Sequence, residues 1–268
     1  MSSVDSELTI ATANVHFGDM IRQDGGLDPL EEYTPDILLL QEVINPQAEL
    51  QTQLGKANYR LIHAASRFGL AIALRKDSHL RLVEGSVRIH ELGKMGTIER
   101  ALAQRWAKRP HDMTAHGMLA AQFKTPGEQK MTAISTRVTV SSNRRGRKQQ
   151  IMGISQALTD PYYSGAVILG GDMNHFPEPQ PIDRAMHQSA DITPINLAGE
   201  PTWRAKRSPV YIAAAFIRGQ RVENMSAELD ALLYKPSMLT PTSIAVIDTI
   251  SDHRAIVAGF RLQGSGDA

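Results

Sequence analysis

Short apolar runs rich in β-branched residues recur along the whole chain, which is the pattern of a protein built from many short strands. The runs that we predict to be strands are Leu8–Ala13, Ile37–Leu40, Gly69–Leu74, Leu80–Ile89, Met118–Phe123, Met131–Val138, Ala166–Leu169, Leu229–Tyr234, Ile244–Ile247 and Ala255–Leu262. The turn sequence Thr125-Pro126-Gly127-Glu128 separates two of these runs, so Met118–Phe123 and Met131–Val138 are predicted to form an antiparallel hairpin. The sheets are therefore expected to be at least partly antiparallel.

Apolar residues at helical spacing lie between some of the predicted strands. Two sets have this spacing, the first being Ile98, Leu102 and Trp106 and the second Ile151, Ile154 and Leu158. Pro46–Leu54 is a further candidate helix. Because strands outnumber helices and do not alternate with them strictly, the pattern favours an α+β fold in which two packed sheets carry helices on their outer faces.

The length and composition allow one large domain. The chain has 268 residues, of which 42% are hydrophobic, and this is enough to bury a substantial core. We expect an N-terminal extension over residues 1–7, a single domain over residues 8–262 and a flexible tail over residues 263–268. In the tail, Gly, Ser and Asp replace the apolar alternation that precedes them.

Charge and cysteine content exclude several classes of site. The 29 Lys and Arg residues balance 28 Asp and Glu residues, so no global field would draw the chain to nucleic acid or anionic lipid, and polyanion binding must come from local clusters. The absence of cysteine excludes disulfides and thiolate metal sites. Asp5 and Glu7 stand where a signal peptide needs basic and then apolar residues, and no run approaches ~20 apolar residues. We expect a soluble, cytoplasmic, monomeric protein without stable membrane insertion.

One apolar strand ends in a cluster of small and polar residues, Gly170-Gly171-Asp172-Met173-Asn174. Glycines at this point allow a close backbone approach and a sharp exit from the strand. Asp172 and Asn174 would then be exposed at the end of the strand. An ordinary strand followed by an Asp/Asn turn is an equal alternative for this segment taken alone.

Other acidic and amide side chains stand at or near the ends of predicted strands. Glu42 follows a buried run, Asn14 ends the first strand, and Asp230 interrupts an apolar run. Ser251-Asp252-His253-Arg254 places an acid beside an imidazole directly before the last strand. For each segment alone, a solvated strand end or a turn is the alternative. An oxygen-rich site with few imidazoles would suit a hard cation such as Mg²⁺ or Mn²⁺ rather than zinc.

Together these segments resemble the five signature segments of the endonuclease/exonuclease/phosphatase superfamily, which includes deoxyribonuclease I-like and apurinic endonuclease-like enzymes. The matching segments, in the order of the family, are Thr12–Val15, Leu40–Val43, Gly170–Asn174, Leu229–Leu233 and Ser251–Arg254. The resemblance extends from Leu8 to Arg261. Collinear motifs of this kind are far more specific than any one of them.

The resemblance implies a fold, an activity and a cofactor. The fold would be an α+β, four-layered α/β/β/α sandwich of two mixed, largely antiparallel sheets, with the site at one edge. The activity would be hydrolysis of phosphate esters dependent on Mg²⁺, with Mn²⁺ as the alternative cation. Glu42 would hold the cation, and Asn14 and Asp252 would support that coordination sphere.

The resemblance also implies a set of catalytic residues. Asp172 would orient or deprotonate the attacking water, and Asn174 would position the phosphate. His253, paired with Asp230, would contact the scissile phosphate, and the carboxylate would favour the charged form of the imidazole. Phosphoryl transfer requires cations where negative charge accumulates and an aligned nucleophile, and these residue types supply both.

Two positions depart from the pattern of the family. Arg137 stands where many relatives carry a histidine. An arginine can bind a phosphate oxygen through its fork of donors but does not donate a proton near neutral pH. His16 stands where apurinic endonucleases of this family often have an acidic residue, and a surface or hydrogen-bonding histidine is favoured there over a metal ligand.

Local basic clusters could select the substrate. Arg144, Arg145, Arg147 and Lys148 open the helix that contains Ile151, and cations there oppose the helix dipole unless an anion is bound. A solvated charged loop is the alternative. Trp203 precedes three cations within five residues and could stack on a base, although the Thr-Trp pair of the family makes a structural role the alternative.

Three functional hypotheses follow from the resemblance and the basic clusters. The first is a nuclease that hydrolyses phosphodiester bonds of DNA or RNA by in-line attack of an activated water. The second keeps the chemistry and changes the substrate to a phosphoinositide, sphingomyelin or a small phosphomonoester. The third, motivated by Arg137, is a non-catalytic phosphate-binding relative.

Overall fold

A computed structural model describes residues 7–94, 96–97, 101, 115–138, 144–174, 190–204 and 226–263. The strands are β1 Glu7–Asn14, β2 Ile37–Gln41, β3 Tyr59–Ala65, β4 Leu70–Arg75, β5 Arg81–Leu82, β6 Arg88–Lys94, β7 Ala115–Lys124, β8 Lys130–Arg137, β9 Ala166–Asp172, β10 Thr193–Pro194, β11 Trp203–Arg204, β12 Ser226–Ala227, β13 Asp230–Tyr234, β14 Leu239–Ile247 and β15 Ala255–Leu262. The helices are α1 Asp19–Arg22, α2 Asp28–Glu31, α3 Gln47–Lys56 and α4 Arg144–Ala157, with 3₁₀ turns at Ser66–Phe68 and Pro161–Tyr163.

Two mixed sheets form the body of the protein. The first has the strand order β14-β15-β1-β2-β4-β3, and the second has the order β10-β13-β9-β8-β7-β5 with β6 also paired to β7. The pairs β1–β2 and β8–β9 are parallel, and the other described pairs are antiparallel. Strands β11 and β12 make a separate two-stranded ribbon.

The strands sort their side chains between three apolar clusters. Along β2, Ile37 and Leu39 enter the cluster between the sheets, whereas Leu38 and Leu40 enter the cluster beneath α3, because successive strand residues point to opposite faces. Leu50 of α3 covers the outer face of the first sheet, and Ile154 of α4 covers that of the second. The four-layered α/β/β/α sandwich of two largely antiparallel sheets is thus confirmed.

Several local predictions can be compared directly with the elements. Strands β7 and β8 form the predicted hairpin. The helices predicted from Pro46 and from Ile151 are present as α3 and α4. The prediction of one continuous strand over Leu80–Ile89 is wrong, because β5 and β6 are separate strands with a turn at Glu84-Gly85 between them. Gly85 has a φ of 67°, a backbone conformation that favours glycine.

Two further predictions concern the ends and the remaining helix. The helix predicted from Ile98, Leu102 and Trp106 lies outside the described residues, as do residues 1–6 and 264–268 of the predicted extension and tail. Glu7 already belongs to β1. No described helix combines the length and the apolar character that crossing a membrane would require.

The topology carries the signature segments to one edge of the sandwich. The parallel pairs β1–β2 and β8–β9 end at that edge, so Asn14 lies opposite Gln41 and Arg137 lies opposite Asp172. Strand β13 runs antiparallel to β9 and begins there, which pairs Asp230 with Asp172. Strand β15 runs antiparallel to β1, so the segment before it also reaches this edge.

Glycines in β9 allow the close packing at this edge. A Cβ on Gly170 would lie 2.6 Å from Thr12 Cβ of the facing sheet, and a Cβ on Gly171 would lie 2.2 Å from the Thr136 carbonyl oxygen. Any larger residue at either position would force the backbone or the sheets apart. The close approach that the sequence predicts at these glycines is therefore present.

Candidate active site

Asp172, the last residue of β9, lies at the centre of the site and is 1% exposed. Its Oδ1 accepts the Asn174 backbone N–H at 3.1 Å, and its Oδ2 accepts the Asn14 side-chain amide at 3.0 Å. The pKa of Asp172 is raised to about 7, mainly by burial. The charges of Asp230 and Glu42 also raise it, whereas those of His253 and Arg137 lower it. A carboxyl group with this pKa can accept a proton near neutral pH.

His253 and Asp230 form a buried ion pair beside Asp172. His253 Nδ1 donates to Asp230 Oδ2 at 2.8 Å. Burial alone would lower the pKa of His253, but the Asp230 carboxylate, with smaller contributions from Asp172 and Asp252, raises it to about 10. The imidazole is therefore charged at neutral pH, and its position is fixed by the carboxylate.

Glu42 follows β2 directly and is buried. Its φ of 57° lies in the left-handed region, where a non-glycine residue costs roughly 1–2 kcal/mol. One oxygen, Oε1, lies 2.9 Å from Arg137 Nη2, and the other, Oε2, accepts the Phe17 backbone N–H at 3.2 Å. The strained backbone is held by these contacts, and it turns the carboxylate into the site.

Arg137 ends β8 and links the two acidic strand ends. Beyond its contact with Glu42, its Nε lies 3.8 Å from Asp172 Oδ2. The guanidinium side chain is only 3% exposed, so a permanent positive charge is buried among the carboxylates. This is the position at which the sequence departs from the histidine of many relatives.

The loop after β1 contacts the site, because the Phe17 backbone N–H in this loop donates to Glu42. Asn14 Oδ1 accepts the His16 backbone N–H at 2.9 Å. His16 Nδ1 lies 3.0 Å from Asp19 Oδ2, and its Nε2 lies 3.9 Å from Asp252 Oδ1. His16 therefore has a hydrogen-bonding partner in Asp19, and the favoured hydrogen-bonding role over a ligand role stays a prediction.

Asp252 is held by the ribbon that begins at Trp203. The Trp203 indole Nε1 donates to Asp252 Oδ2 at 3.3 Å, and the Arg204 backbone N–H donates to the Asp252 carbonyl oxygen at 3.1 Å. Trp203 is 7% exposed, so its ring offers little surface on which a base could stack. This contact supports the structural alternative for Trp203 rather than the expected substrate contact.

Asn174 connects the site to helix α4. Its Nδ2 donates to the Val138 carbonyl oxygen at 2.8 Å, and its own carbonyl oxygen accepts Arg147 Nη1 at 2.7 Å. Arg147 is therefore near the site, whereas Lys148 is exposed on the helix surface. The side chains of Arg144 and Arg145 lie outside the described residues.

A buried polar cluster beneath the site was not singled out from the sequence. Gln41 Nε2 lies 3.1 Å from Ser135 Oγ of the facing sheet and 3.1 Å from Thr12 Oγ1, and Ser135 Oγ donates to the Leu40 carbonyl oxygen at 2.9 Å. The two bonds of Ser135 join the two sheets, next to Glu42 and Arg137 in sequence. The signal in the sequence that could have indicated this cluster is a polar residue in each of three apolar strands, namely Thr12, Gln41 and Ser135.

The donor set fits a divalent cation. Carboxylate oxygens of Asp172 and Asp230 lie within 4.8 Å of one another and of His253, which is charged and is therefore not itself a ligand. Glu42 and Asp252 add carboxylates to the same network of contacts. Asp230 Oδ1 is buried with no hydrogen-bond partner among the described residues, and such an atom requires a cation or a donor. Oxygen-rich donors of this kind suit Mg²⁺ or Mn²⁺.

The arrangement can perform three chemical tasks. Asp172 can accept a proton, charged His253 can donate a hydrogen bond to an anion, and the surrounding carboxylates can hold a cation. All seven residues assigned to the catalytic and metal set belong to one connected network, namely Asn14, Glu42, Asp172, Asn174, Asp230, Asp252 and His253.

Comparison with solved structures reveals the same fold in several proteins. D. rerio TDP2 in complex with a single-strand DNA product is 21% identical with a TM-score of 0.65, covering 96% of this chain and 100% of that chain. Human Nocturnin with a bound sulfate anion is 16% identical with a TM-score of 0.66, covering 96% and 94%. A mannosyl-6-phosphatase from Bacteroides thetaiotaomicron is 15% identical with a TM-score of 0.64, covering 96% and 100%.

Sequence comparisons identify the family. Among curated proteins, no sequence gives a significant match. The sequence model of the Endonuclease/Exonuclease/phosphatase family matches residues 11–253, which include all seven catalytic and metal candidates from Asn14 to His253. With this match over most of its length and the sandwich fold of its structural neighbours, the chain belongs to the endonuclease/exonuclease/phosphatase family.

Proposed function

We propose that the protein is a divalent-cation-dependent phosphodiesterase that hydrolyses a nucleic acid by in-line attack of an activated water. The observation that carries this proposal is a pair of neighbouring ionisable groups at the sheet edge, one that can accept a proton and one that stays positively charged. Asp172 has a pKa raised to about 7, whereas His253 beside it is held charged by Asp230. A proton acceptor next to a fixed cation is the arrangement that hydrolysis of a phosphodiester requires.

Glu42 would hold the cation, with Asp252 and Asn14 supporting the coordination sphere. When bound, Mg²⁺ or Mn²⁺ would offset the negative charge that accumulates on the phosphoryl oxygens. The Phe17 backbone N–H and the Trp203 indole N–H orient the two carboxylates. Donors of this kind fix ligand orientation around metal sites.

Asp172 would orient the attacking water and take its proton. The Asn14 amide and the Asn174 backbone N–H hold the two oxygens of Asp172 in place, so the acceptor is fixed before the substrate arrives. Asn174 would position the phosphate, and Arg147 fixes the backbone of Asn174 from helix α4.

His253 would donate a hydrogen bond from Nε2 to an oxygen of the scissile phosphate. Its Nδ1 is engaged by Asp230, so Nε2 is the ring nitrogen that would contact the substrate. Arg137 would contribute a second permanent positive charge to the phosphate. A buried imidazolium and a guanidinium are worth more here than in water because screening is weak.

A nucleic acid is favoured as the substrate because the neighbouring TDP2 structure holds a single-strand DNA product and because basic residues open helix α4. A phosphorylated small molecule is the second candidate. It is supported by the fold shared with a mannosyl-6-phosphatase and by a net charge of only +1, which provides no global attraction for a polyanion.

A substrate panel tests the proposal directly. Wild-type protein, Asp172→Asn and Asp24→Asn would be assayed with Mg²⁺ and with EDTA on DNA, RNA, a phosphoinositide, sphingomyelin and mannose 6-phosphate. Asp24 is an exposed carboxylate paired with Lys56 and serves as the matched control. We expect EDTA to abolish hydrolysis and Asp172→Asn to reduce it by roughly 10²–10⁴-fold, with Asp24→Asn unchanged.

The outcome of the panel separates the candidates. Faster turnover of DNA or RNA than of the other substrates supports the nuclease, and preference for mannose 6-phosphate supports the second candidate. Hydrolysis that survives EDTA, or that is equally fast in Asp172→Asn, would refute the proposed chemistry.

A further inference from the structure

The ion pair between Arg137 and Glu42 engages the carboxylate that the cation requires. Arg137 Nη2 lies 2.9 Å from Glu42 Oε1, and the two side chains are 3% and 8% exposed. The second oxygen of Glu42 accepts the Phe17 backbone N–H. Both oxygens therefore already have protein donors, and a cation at Glu42 must share or replace the guanidinium.

The charges of the site match one divalent cation. Four carboxylates meet two positively charged side chains, which leaves two formal negative charges; these groups are Glu42, Asp172, Asp230, Asp252, Arg137 and His253. Removal of the guanidinium would leave three negative charges. Because the groups are buried, this difference acts on a bound cation with little screening.

We propose that Arg137 is an internal competitor of the divalent cation for Glu42, and that its release from Glu42 makes its guanidinium available to a phosphate oxygen. This inference rests on the proposed function for the cation and the phosphate. Arginine suits the task because it stays charged at every working pH and carries a fork of donors that matches either a carboxylate or a phosphate.

The two binding events are coupled if Arg137 exchanges Glu42 for phosphate. Cation binding and phosphate binding both favour the arrangement in which the guanidinium has left Glu42. Each ligand must then strengthen the binding of the other by the same factor. Arg137 acts on the cation through Glu42, so for cation binding it is a positioning residue.

Direct titration with Mn²⁺ measures the competition without turnover. Free Mn²⁺ would be followed by electron paramagnetic resonance at pH 8 with wild-type protein, Arg137→Gln and Arg137→Lys. We expect Arg137→Gln to bind Mn²⁺ about tenfold more tightly, because one buried positive charge has been removed. Arg137→Lys keeps the charge and should stay within about threefold of wild type.

Arg75→Gln is the matched control. Arg75 Nη2 pairs with Asp36 Oδ1 at 3.2 Å. Arg75 follows Leu74, which pairs with the first residue of β2, so it lies at the opposite end of that strand from Glu42. Its loss should leave the Mn²⁺ affinity unchanged. Equal or weaker Mn²⁺ binding by Arg137→Gln, compared with wild type, would overturn the inference.

Wild-type protein provides a second measurement that does not depend on the folding of a variant. Sulfate, as a phosphate analogue, should tighten Mn²⁺ binding to the wild type, and unchanged affinity at saturating sulfate would overturn the coupling. A failure of the proposed function is recognised separately, because it would appear as no hydrolysis of any panel substrate while the titration still reports the cation affinity.

Discussion

Replacement of Asp230 with Asn tests the role of the carboxylate that holds His253 charged. The amide is nearly isosteric and its oxygen can still accept from His253 Nδ1, so the 2.8 Å contact can persist while the negative charge is lost. In the wild type, the carboxylate overcomes the burial that would otherwise lower the pKa of His253 and raises it to about 10. Without the charge, burial is opposed only by the smaller contributions of Asp172 and Asp252, so we expect the pKa of His253 to fall to the ordinary value of about 6.5 or below.

The expected loss of activity follows from the fraction of His253 that is charged. At pH 8, a group with a pKa below 6.5 is protonated in less than roughly 3% of molecules, whereas a group with a pKa near 10 is almost fully protonated. If hydrolysis requires charged His253, kcat/KM at pH 8 should fall by about 30-fold or more. Activity should recover partly as the pH is lowered towards 6.

The assay is a pH profile of kcat/KM on bis-p-nitrophenyl phosphate. For the wild type, activity should rise as Asp172 loses its proton and fall as His253 loses its own. The two pKa values are about 7 and about 10 without a cation, and a bound cation shifts both downwards. In Asp230→Asn the alkaline fall should move below pH 7. An alkaline limb that stays at its wild-type pH in the variant would refute the reasoning, and Asp24→Asn is the control.

Three further substitutions address the packing and the support of the site. Gly170→Ala places a Cβ 2.6 Å from Thr12 Cβ and should lower the free energy of unfolding by about 1–3 kcal/mol in urea, and unchanged stability would contradict the close approach of the sheets. Gln41→Leu removes the bond to Ser135 of the facing sheet and the bond to Thr12, and should cost about 1–3 kcal/mol in the same assay, so a gain in stability would count against this cluster. Trp203→Phe removes the donor to Asp252 and should weaken Mn²⁺ binding by about 10-fold or more, whereas an increase confined to KM for nucleic acid would indicate stacking instead.

Most of the sandwich follows from local patterns in the sequence. The apolar runs of β2, β7, β8 and β9 are long enough to specify buried strands, and the Pro126-Gly127 turn fixes one hairpin. The single strand predicted over Leu80–Ile89 failed because Glu84-Gly85 turns the chain within a run that otherwise reads as extended. Here the preference of one glycine for a positive φ outweighed the periodicity.

The convergence of the site could be anticipated only through the family resemblance. Residues such as Asn14 and Asp172 are 158 positions apart, and nothing local to either segment specifies their 3.0 Å contact. The contacts of Arg137 with Glu42 and of Trp203 with Asp252 depend on the register of paired strands and on the path of a ribbon. These contacts are tertiary, so residue type alone could not determine the role of Arg137 or that of Trp203.

The central claim is that buried carboxylates at this sheet edge hold a divalent cation beside Asp172 and charged His253. Anomalous diffraction from crystals soaked in Mn²⁺ locates such a cation directly. We expect a single strong peak within about 2.0–2.6 Å of a Glu42 carboxylate oxygen, the range of divalent cation–oxygen bonds. A peak elsewhere on the protein, with none at Glu42 at a Mn²⁺ concentration that saturates the protein in solution, would contradict the claim.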